Sequence, residues 1–323
     1  MDVSIQSIGR KSLKIIGKQK AIVAIAVILI AMLFSSSNIF TRNHLFAFLV
    51  VASPYLIIAF GVTFAVICRA CDLSVGSVMC LSGILAIQMS NAGVPLFLAV
   101  LLAILAGAVI GFINGFLIVQ QKTEAFIITL GMGMLLKGVA LYITNQRPVT
   151  GQDPAFSAIS NSTILGLPSI VVYMLIVGIL AYCLLRYTSF GRNCYALGGD
   201  YEVAEHSGIN VVFAKWAAFT ITGTYAAIAG VLLASRLNTG SPIYGDAIPL
   251  LVNCGVVIGG TSFAGGVGGV VQSFIGIMVM QLLVTCMGAL EVDRFIRMLI
   301  LGIVIVTIIC MDCYAIKRKK EDV

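Results

Sequence analysis

Charge is scarce in this chain. Asp, Glu, Lys and Arg make up 10% of its 323 residues, against about a quarter in soluble globular domains. So little polar surface cannot coat a water-soluble globule of this length. Carboxylates are scarcer still inside the apolar runs: Asp72, Glu124, Asp246, Glu291 and Asp293 all lie near run ends. That argues against ion coupling through a mid-membrane acid, although backbone carbonyls can also hold sodium. Only two histidines are present, His44 and His206, and neither HExxH nor a Ser/His/Asp or paired-carboxylate constellation points to catalysis. A phosphate-binding GxxxxGK[ST] loop is missing: Gly17-Lys18 runs on into Gln19, and Ser12 stands where the first glycine belongs. The glycine run Gly265-Gly266-Val267-Gly268-Gly269 lacks the spacing and the preceding strand of a dinucleotide loop, and reads as a flexible turn.

What the chain does have is apolar length. Hydrophobic residues are 60% of it and mean hydropathy is +1.08. Long apolar runs recur from Ala21 to Cys310, and a run of about 18 or more such residues with almost no charge reads as a spanning helix. The strands of a membrane barrel would alternate apolar and polar instead. The fold class is therefore all-α, a polytopic transmembrane helical bundle of about ten spans. These fall near 21–40, 45–68, 73–89, 94–119, 125–143, 169–185, 216–234, 247–260, 270–288 and 295–312. The eighth is short for a hydrocarbon core of about 30 Å and is either tilted, re-entrant or broken.

Lys and Arg set the orientation. With both termini inside, the inner face carries the basic residues of segment 1–20, then Arg69, Lys122, Arg186, Arg192, Lys215 and the tail Lys317-Arg318-Lys319-Lys320. The outer face carries only Arg42, Arg147, Arg236, Arg294 and Arg297. The bundle is N-in and C-in on this count, and the formal net charge of +7 reflects topology, not a nucleic-acid patch. The expected organisation is a basic cytoplasmic N-terminus over 1–20, a membrane domain over 21–312 and a basic tail over 313–323. Residues Ala21–Phe34 behind their basic leader resemble a signal peptide, but no small-x-small cleavage site follows, so they read as an uncleaved first span.

Two loops exceed a simple turn. Thr144–Pro168, with Pro148, Gly151, Pro154 and Gly166, reads as ordered irregular chain on the outside, and residues 186–215 form a long inner loop. Gly107, Gly111 and Gly115 share one helical face, as do Gly255 and Gly259. Small residues four apart let helices approach closely in lipid, and channel lining is the competing reading. Asn114, Thr129, Lys137, Asn253 and Thr285 are the polar residues placed deepest. Lys137 either snorkels outward or faces a path or a partner. Two CxxC pairs, Cys68/Cys71 and Cys310/Cys313, suit metal or redox chemistry by spacing. Small apolar cysteines at helix ends are the simpler account.

The inner loop contains Thr188–Ile209, TSFGRNCYALGGDYEVAEHSGI. Asp200 is placed to cap a short helix over Tyr201–Ser207, Gly208 to close it, and Glu202 suits its positive end. Seven residues are too few for a helix that stands alone in water, so it must lean on the membrane domain or on another protein, with Tyr201, Ala204 and Ser207 as its packed face.

This stretch resembles the coupling loop in permease subunits of bacterial ABC importers of the ribose/xylose/galactoside type. Their pattern FGR-x-x-Y-A-x-G-G, acidic residues, alanine and S-G-I is matched by Phe190, Gly191, Arg192, Tyr195, Ala196, Gly198, Gly199, Glu202, Ala204, Ser207, Gly208 and Ile209. Asp72-Leu73-Ser74-Val75-Gly76-Ser77, Asn114-Gly115, Phe126–Gly131, Asp246-Ala247-Ile248 and Val257–Ser262 follow the same family in order. Departures are Arg69-Ala70-Cys71 where glycines usually precede D-L-S-V-G, Glu124-Ala125 in place of a frequent proline, a shortened run before Asp246, and Cys286-Met287 in place of an asparagine-glycine pair.

The resemblance implies a permease that pairs with a second copy or a paralogue in the lipid and receives a monosaccharide from an extracytoplasmic binding protein. Its motor would be a separate ATP-binding subunit holding the ATP and magnesium, with no cofactor on this chain. Gly198, Gly199, Asp200, Glu202, Ala204, Ser207 and Gly208 would form the ATPase contact, and Asp72, Ser74, Asn114, Thr129, Lys137, Asn253 and Thr261 are candidates for the translocation path. A furanosyl signalling molecule or a nucleoside is the alternative cargo, and an ion-coupled secondary transporter the alternative class.

Overall fold

The computed structural model describes residues 42–321, so the first expected span and the basic leader lie outside the described residues. Twelve helices account for most of the rest. They are α1 (Arg42–Ile67), α2 (Val75–Asn91), α3 (Leu96–Gln120), α4 (Ala125–Ile143), α5 (Pro154–Asn161), α6 (Ser169–Tyr187), α7 (Ser189–Gly199), α8 (Tyr201–His206), α9 (Val211–Leu237), α10 (Ile248–Ile258), α11 (Val270–Ala289) and α12 (Arg294–Glu321). Nine of them overlap the nine expected spans that lie within the described residues. Six of those nine (α1, α3, α4, α6, α9 and α11) are long and apolar enough to cross a bilayer.

The bundle is built around α9. It packs on α1, α2 and α3, while α1 also meets α6, α10 and α11, and α4 lies against α2. The outer faces of α3, α4 and α6 carry exposed Phe, Leu and Ile, which is the surface a lipid-facing helix presents. Polar side chains stitch the interior. Thr63 and Ser273 bond across α1 and α11 at 2.6 Å, Thr222 donates to Gly61 O at 3.1 Å, and the Tyr225 phenol donates to Val177 O at 3.2 Å. In lipid such bonds and close backbone packing hold helices together, because the hydrophobic effect does not.

The glycine faces are packing surfaces. A Cβ on Gly111 would meet the carbonyl of Phe219, one on Gly107 the side chain of Ala227, and one on Gly115 the backbone of Trp216, all on α9. Gly255 and Gly259 face Ile277 and the Gln272 carbonyl of α11 in the same way.

The outer loop is more regular than its Pro and Gly content suggests. Residues Val149–Thr150 form β1, Thr163–Ile164 β2, Leu167–Pro168 β3 and Thr239–Gly240 β4. β1 pairs antiparallel with β4, and β2 with β3 through the Leu165-Gly166 turn, where both residues have positive φ. Between them α5 starts with Pro154 in its first turn, and the Asp153 carboxylate caps it by accepting from Ala155 N.

Two membrane-domain helices are short. α10 has 11 residues, only about 16 Å at 1.5 Å per residue, and α2 has 17. Non-helical chain leads into each, residues 68–74 before α2 and 241–247 before α10. The chain meets itself where these helices begin, for a Cβ on Gly76 would strike the Gly245 carbonyl and one on Gly245 the Gly76 carbonyl. At its other end the last helix continues past the expected boundary to Glu321.

Candidate functional site

Between the end of α6 at Tyr187 and the start of α9 at Val211, two short helices form where one was expected. Thr188 opens α7 by accepting from Gly191 N at 3.2 Å. Asp200 then breaks the helical path and caps α8, its Oδ1 accepting from Val203 N at 3.1 Å. Gly208, at φ +78°, closes α8, with Gly208 N and Ile209 N returning to Glu205 O and Ala204 O. Local capping chemistry therefore builds α8 as its sequence predicts.

The packed face of α8 is narrower than expected. Ala204 is buried, but Ser207 is exposed and Tyr201 is 39% exposed. The ring of Tyr201 lies 5.6 Å from Lys215 Nζ, a cation–π contact that ties α8 to the start of α9. A helix of six residues has one alanine's width to give its support. Glu202, Val203, Glu205 and His206 are left facing outward.

Beneath α8, the end of α7 is locked to the bundle. Gly198 is buried, and a Cβ there would meet the Ile67 carbonyl and Gly266 N, so only glycine fits. Gly266 N donates to Ile67 O at 3.0 Å, and Tyr195 donates its phenol to Gly268 O at 2.8 Å. Burial raises the pKa of that phenol, which keeps it a donor. Thr261 is fully buried in this loop, and its Oγ1 accepts from Gly269 N at 3.3 Å. The glycine run, read from sequence as a flexible turn, is a docked one.

Sequence reading missed Arg69. Its Nε donates to Gly198 O at 2.8 Å and Ala264 O at 2.6 Å, and its Nη2 donates to Gly199 O at 2.6 Å. Arg69 stands at φ 59°, a left-handed conformation that costs a non-glycine residue about 1–2 kcal/mol. Charge-assisted bonds to three carbonyls offset that strain. The only sequence signal was a departure, an arginine where the resembled family carries glycine.

Past Arg69, five of the candidate path residues gather around non-helical chain. The Asp72 carboxylate is buried and accepts from Ser74 N at 2.8 Å and Ser74 Oγ at 2.6 Å. Asn114 of α3 donates to Ser74 Oγ at 2.9 Å. Thr129 of α4 accepts from Leu73 N at 3.1 Å, and Asn253 of α10 donates to Asp72 O at 3.0 Å. Buried backbone outside a helix has no internal partners, so side chains must supply them. These residues do so for 71–74.

Lys137 and Thr261 lie outside that group. Lys137 Nζ pairs with Asp246 Oδ1 at 2.7 Å, with side chains 40% and 53% exposed. Thr285 is half-buried on α11. The thiols of the first CxxC pair diverge: Cys71 donates to Asn253 Oδ1 at 3.3 Å, and Cys68 points at Cys194 O at 4.0 Å. Among the described residues no three His, Cys, Asp or Glu side chains cluster as metal ligands do.

Six helices among the described residues are long and apolar enough to cross a membrane, and the comparisons with known proteins make the chain a multi-pass inner-membrane protein of the transport class. The chain belongs to the branched-chain amino acid transport system / permease component family, whose sequence model matches residues 44–309. It is 33% identical over 306 residues to the ribose import permease protein RbsC of Haemophilus influenzae, covering 94% of this chain and 95% of that one. The ribose import permease protein RbsC of Bacillus subtilis is 36% identical over 267 residues, 82% of this chain and 81% of its own. The L-arabinose transport system permease protein AraH of Escherichia coli is 30% identical over 299 residues, 93% and 91% respectively. No solved structure matches the chain.

Proposed function

We propose that this permease subunit forms the translocation path of an ABC importer for a ribose-like monosaccharide. Two relatives carry ribose import in their names and a third L-arabinose transport, and the chain matches each over most of its length. The observation that carries the reading is α8, a six-residue helix whose Glu202, Val203, Glu205 and His206 stand free above a locked base. A helix so short and so exposed is built to be covered by another protein. Its occupant would be the ATP-binding subunit, which holds the ATP and magnesium, and Gly198, Gly199, Asp200, Glu202, Ala204, Ser207 and Gly208 would shape the contact. A ten-span, N-in and C-in arrangement places this contact in the cytoplasm. A second copy or a paralogue completes the path, and an extracytoplasmic binding protein delivers the sugar.

Glu202→Lys and Gly208→Pro are expected to insert normally yet lower ligand-stimulated ATP hydrolysis in the assembled complex. Wild-type stimulation in both would remove α8 from the coupling contact. Nucleotide binding can shift the permease only if it favours one of its conformations, so the loss should appear in stimulation before it appears in assembly.

For the path we place Lys137 and Asp246 on its outer half, with Asp72, Ser74, Asn114, Thr129 and Asn253 shaping the chain behind it and Thr261 holding the glycine loop at its inner end. An exposed ion pair against hydrocarbon would be costly, whereas against a wet path it offers donors and an acceptor to sugar hydroxyls. Lys137→Ala is expected to raise the half-saturation for uptake about tenfold, or roughly 1.4 kcal/mol. The exchange Lys137→Asp with Asp246→Lys should recover part of it. Unaltered uptake kinetics in Lys137→Ala would take the pair off the path.

A further inference from the structure

We propose that residues 68–74 act as a strap that carries movement of the coupling segment into the interior of the bundle, with Arg69 as its positioning residue. This rests on the reading of α7 and α8 as the contact for an ATP-binding subunit. At the surface, Arg69 grips two separate pieces of chain, Gly198 and Gly199 at the end of α7 and Ala264 in the glycine loop. A cation suits that place, because the last carbonyls of a helix are unpaired and its dipole is negative there.

Three residues further on, other elements grip the same chain. Thr129 of α4 accepts from Leu73 N, and Asn253 of α10 donates to Asp72 O. Asn114 of α3 donates to the hydroxyl of Ser74. Residues 69 and 72 lie at most about 11 Å apart even fully extended, so little slack separates the two sets of anchors. A short segment pinned at both ends passes on displacement that a free loop would absorb, and that is a contiguous physical route between two sites.

The backbone of Arg69 points the same way. Glycine would adopt φ 59° without strain, yet this position holds arginine, and its side chain makes the clamp. The glycine loop has independent pins in Gly266 N to Ile67 O and Tyr195 to Gly268 O. Removing the arginine therefore takes away the strap's charged grip on α7 and on Ala264, leaving only the weak contact of the Cys68 thiol with Cys194 O, while α7 and the loop stay docked.

The test uses the complete complex in proteoliposomes, with native Cys71 as reporter. Its thiol lies in the strap, donating to Asn253 Oδ1 at 3.3 Å. N-ethylmaleimide labelling of Cys71 is followed by mass spectrometry with and without vanadate-trapped nucleotide. In the wild type, trapping is expected to change the labelling rate about fivefold or more, the lower end of ordinary coupling between sites. Arg69→Gly, which removes both clamp and strain, is expected to cut the change below about twofold while ATP hydrolysis continues. Tyr195→Phe, which removes a pin outside the strap, should respond as the wild type does. A full response in Arg69→Gly, or no response in the wild type, overturns the strap. So does failure of both Arg69→Gly and Arg69→Gln to assemble with the ATP-binding subunit, which would make Arg69 a docking residue. Glu202→Lys reports on the docking reading alone. If it keeps the full response, that reading fails whatever Arg69→Gly does.

Discussion

Isoleucine at Gly111 is expected to leave almost no folded protein in the membrane. The α3 face of Gly107, Gly111 and Gly115 lies directly on α9, and a Cβ on Gly111 would meet the Phe219 carbonyl and the Thr220 backbone. Backbone cannot turn aside as a side-chain tip can. α9 cannot retreat either, because it also packs on α1 and α2, and its own Gly223 already abuts the Gly107 carbonyl. Overpacking a core by a few carbons costs about 1–3 kcal/mol where neighbours can shift. Parting two central helices costs more, and total stability is only about 5–15 kcal/mol. Size-exclusion of detergent extracts should show Gly111→Ile as aggregate or as nothing. Gly131→Ile, where no atom lies within 4 Å of the added Cβ, should elute as the wild type does. A monodisperse Gly111→Ile at wild-type yield would mean that the α3–α9 seam is looser than this.

That seam was half legible. Four-residue glycine spacing names the face and the kind of contact, but nothing local names α9 as its partner. The same division runs through the site. Asp200 and Gly208 announce α8 because caps act within a few residues of themselves. Arg69 was silent because its partners Gly198 and Ala264 are 129 and 195 residues away, and no periodicity marks such a bond. The polar residues Asn114, Thr129 and Asn253 stood out because apolar runs seldom contain them, yet the cause was hidden. They answer backbone groups of residues 71–74, which become visible as unpaired only once that chain is seen to be non-helical inside the bundle. Thr144–Pro168 was read as irregular for a similar reason. Its Pro and Gly mark turns, but the pairing of β1 with β4 joins Thr150 to Thr239, with all of α5 to α9 lying between them in sequence.

Alanine at Asp72 is the other substitution expected to do most damage, and its logic separates acceptor from charge. The carboxylate takes two buried donors, Ser74 N at 2.8 Å and Ser74 Oγ at 2.6 Å. Without it the Ser74 N–H has no acceptor, and the hydroxyl that receives Asn114 Nδ2 at 2.9 Å loses the bond that orients it. A buried donor left unpaired costs about 1–3 kcal/mol, so two of them predict a loss of roughly 2–6 kcal/mol. For a domain of a few hundred residues that is a fall in Tm of about 5–15 °C, readable from the chain's one tryptophan, Trp216. Asp72→Asn keeps an oxygen where both donors point, and should lose less than half as much. Equal damage in the two variants would show that the negative charge, not the acceptor, holds Ser74, and would remove the backbone-satisfaction account of this cluster. Ser74→Ala sharpens the comparison, since it removes the hydroxyl but leaves the Ser74 N–H and its acceptor intact. Its loss should be comparable to that of Asp72→Ala, because it breaks two bonds, Ser74 Oγ to Asp72 and Asn114 Nδ2 to Ser74 Oγ, and leaves the buried Asn114 amide donor unpaired. The expectation for each variant follows from counting which buried groups it leaves unpaired. It holds whether or not the sugar ever touches Asp72.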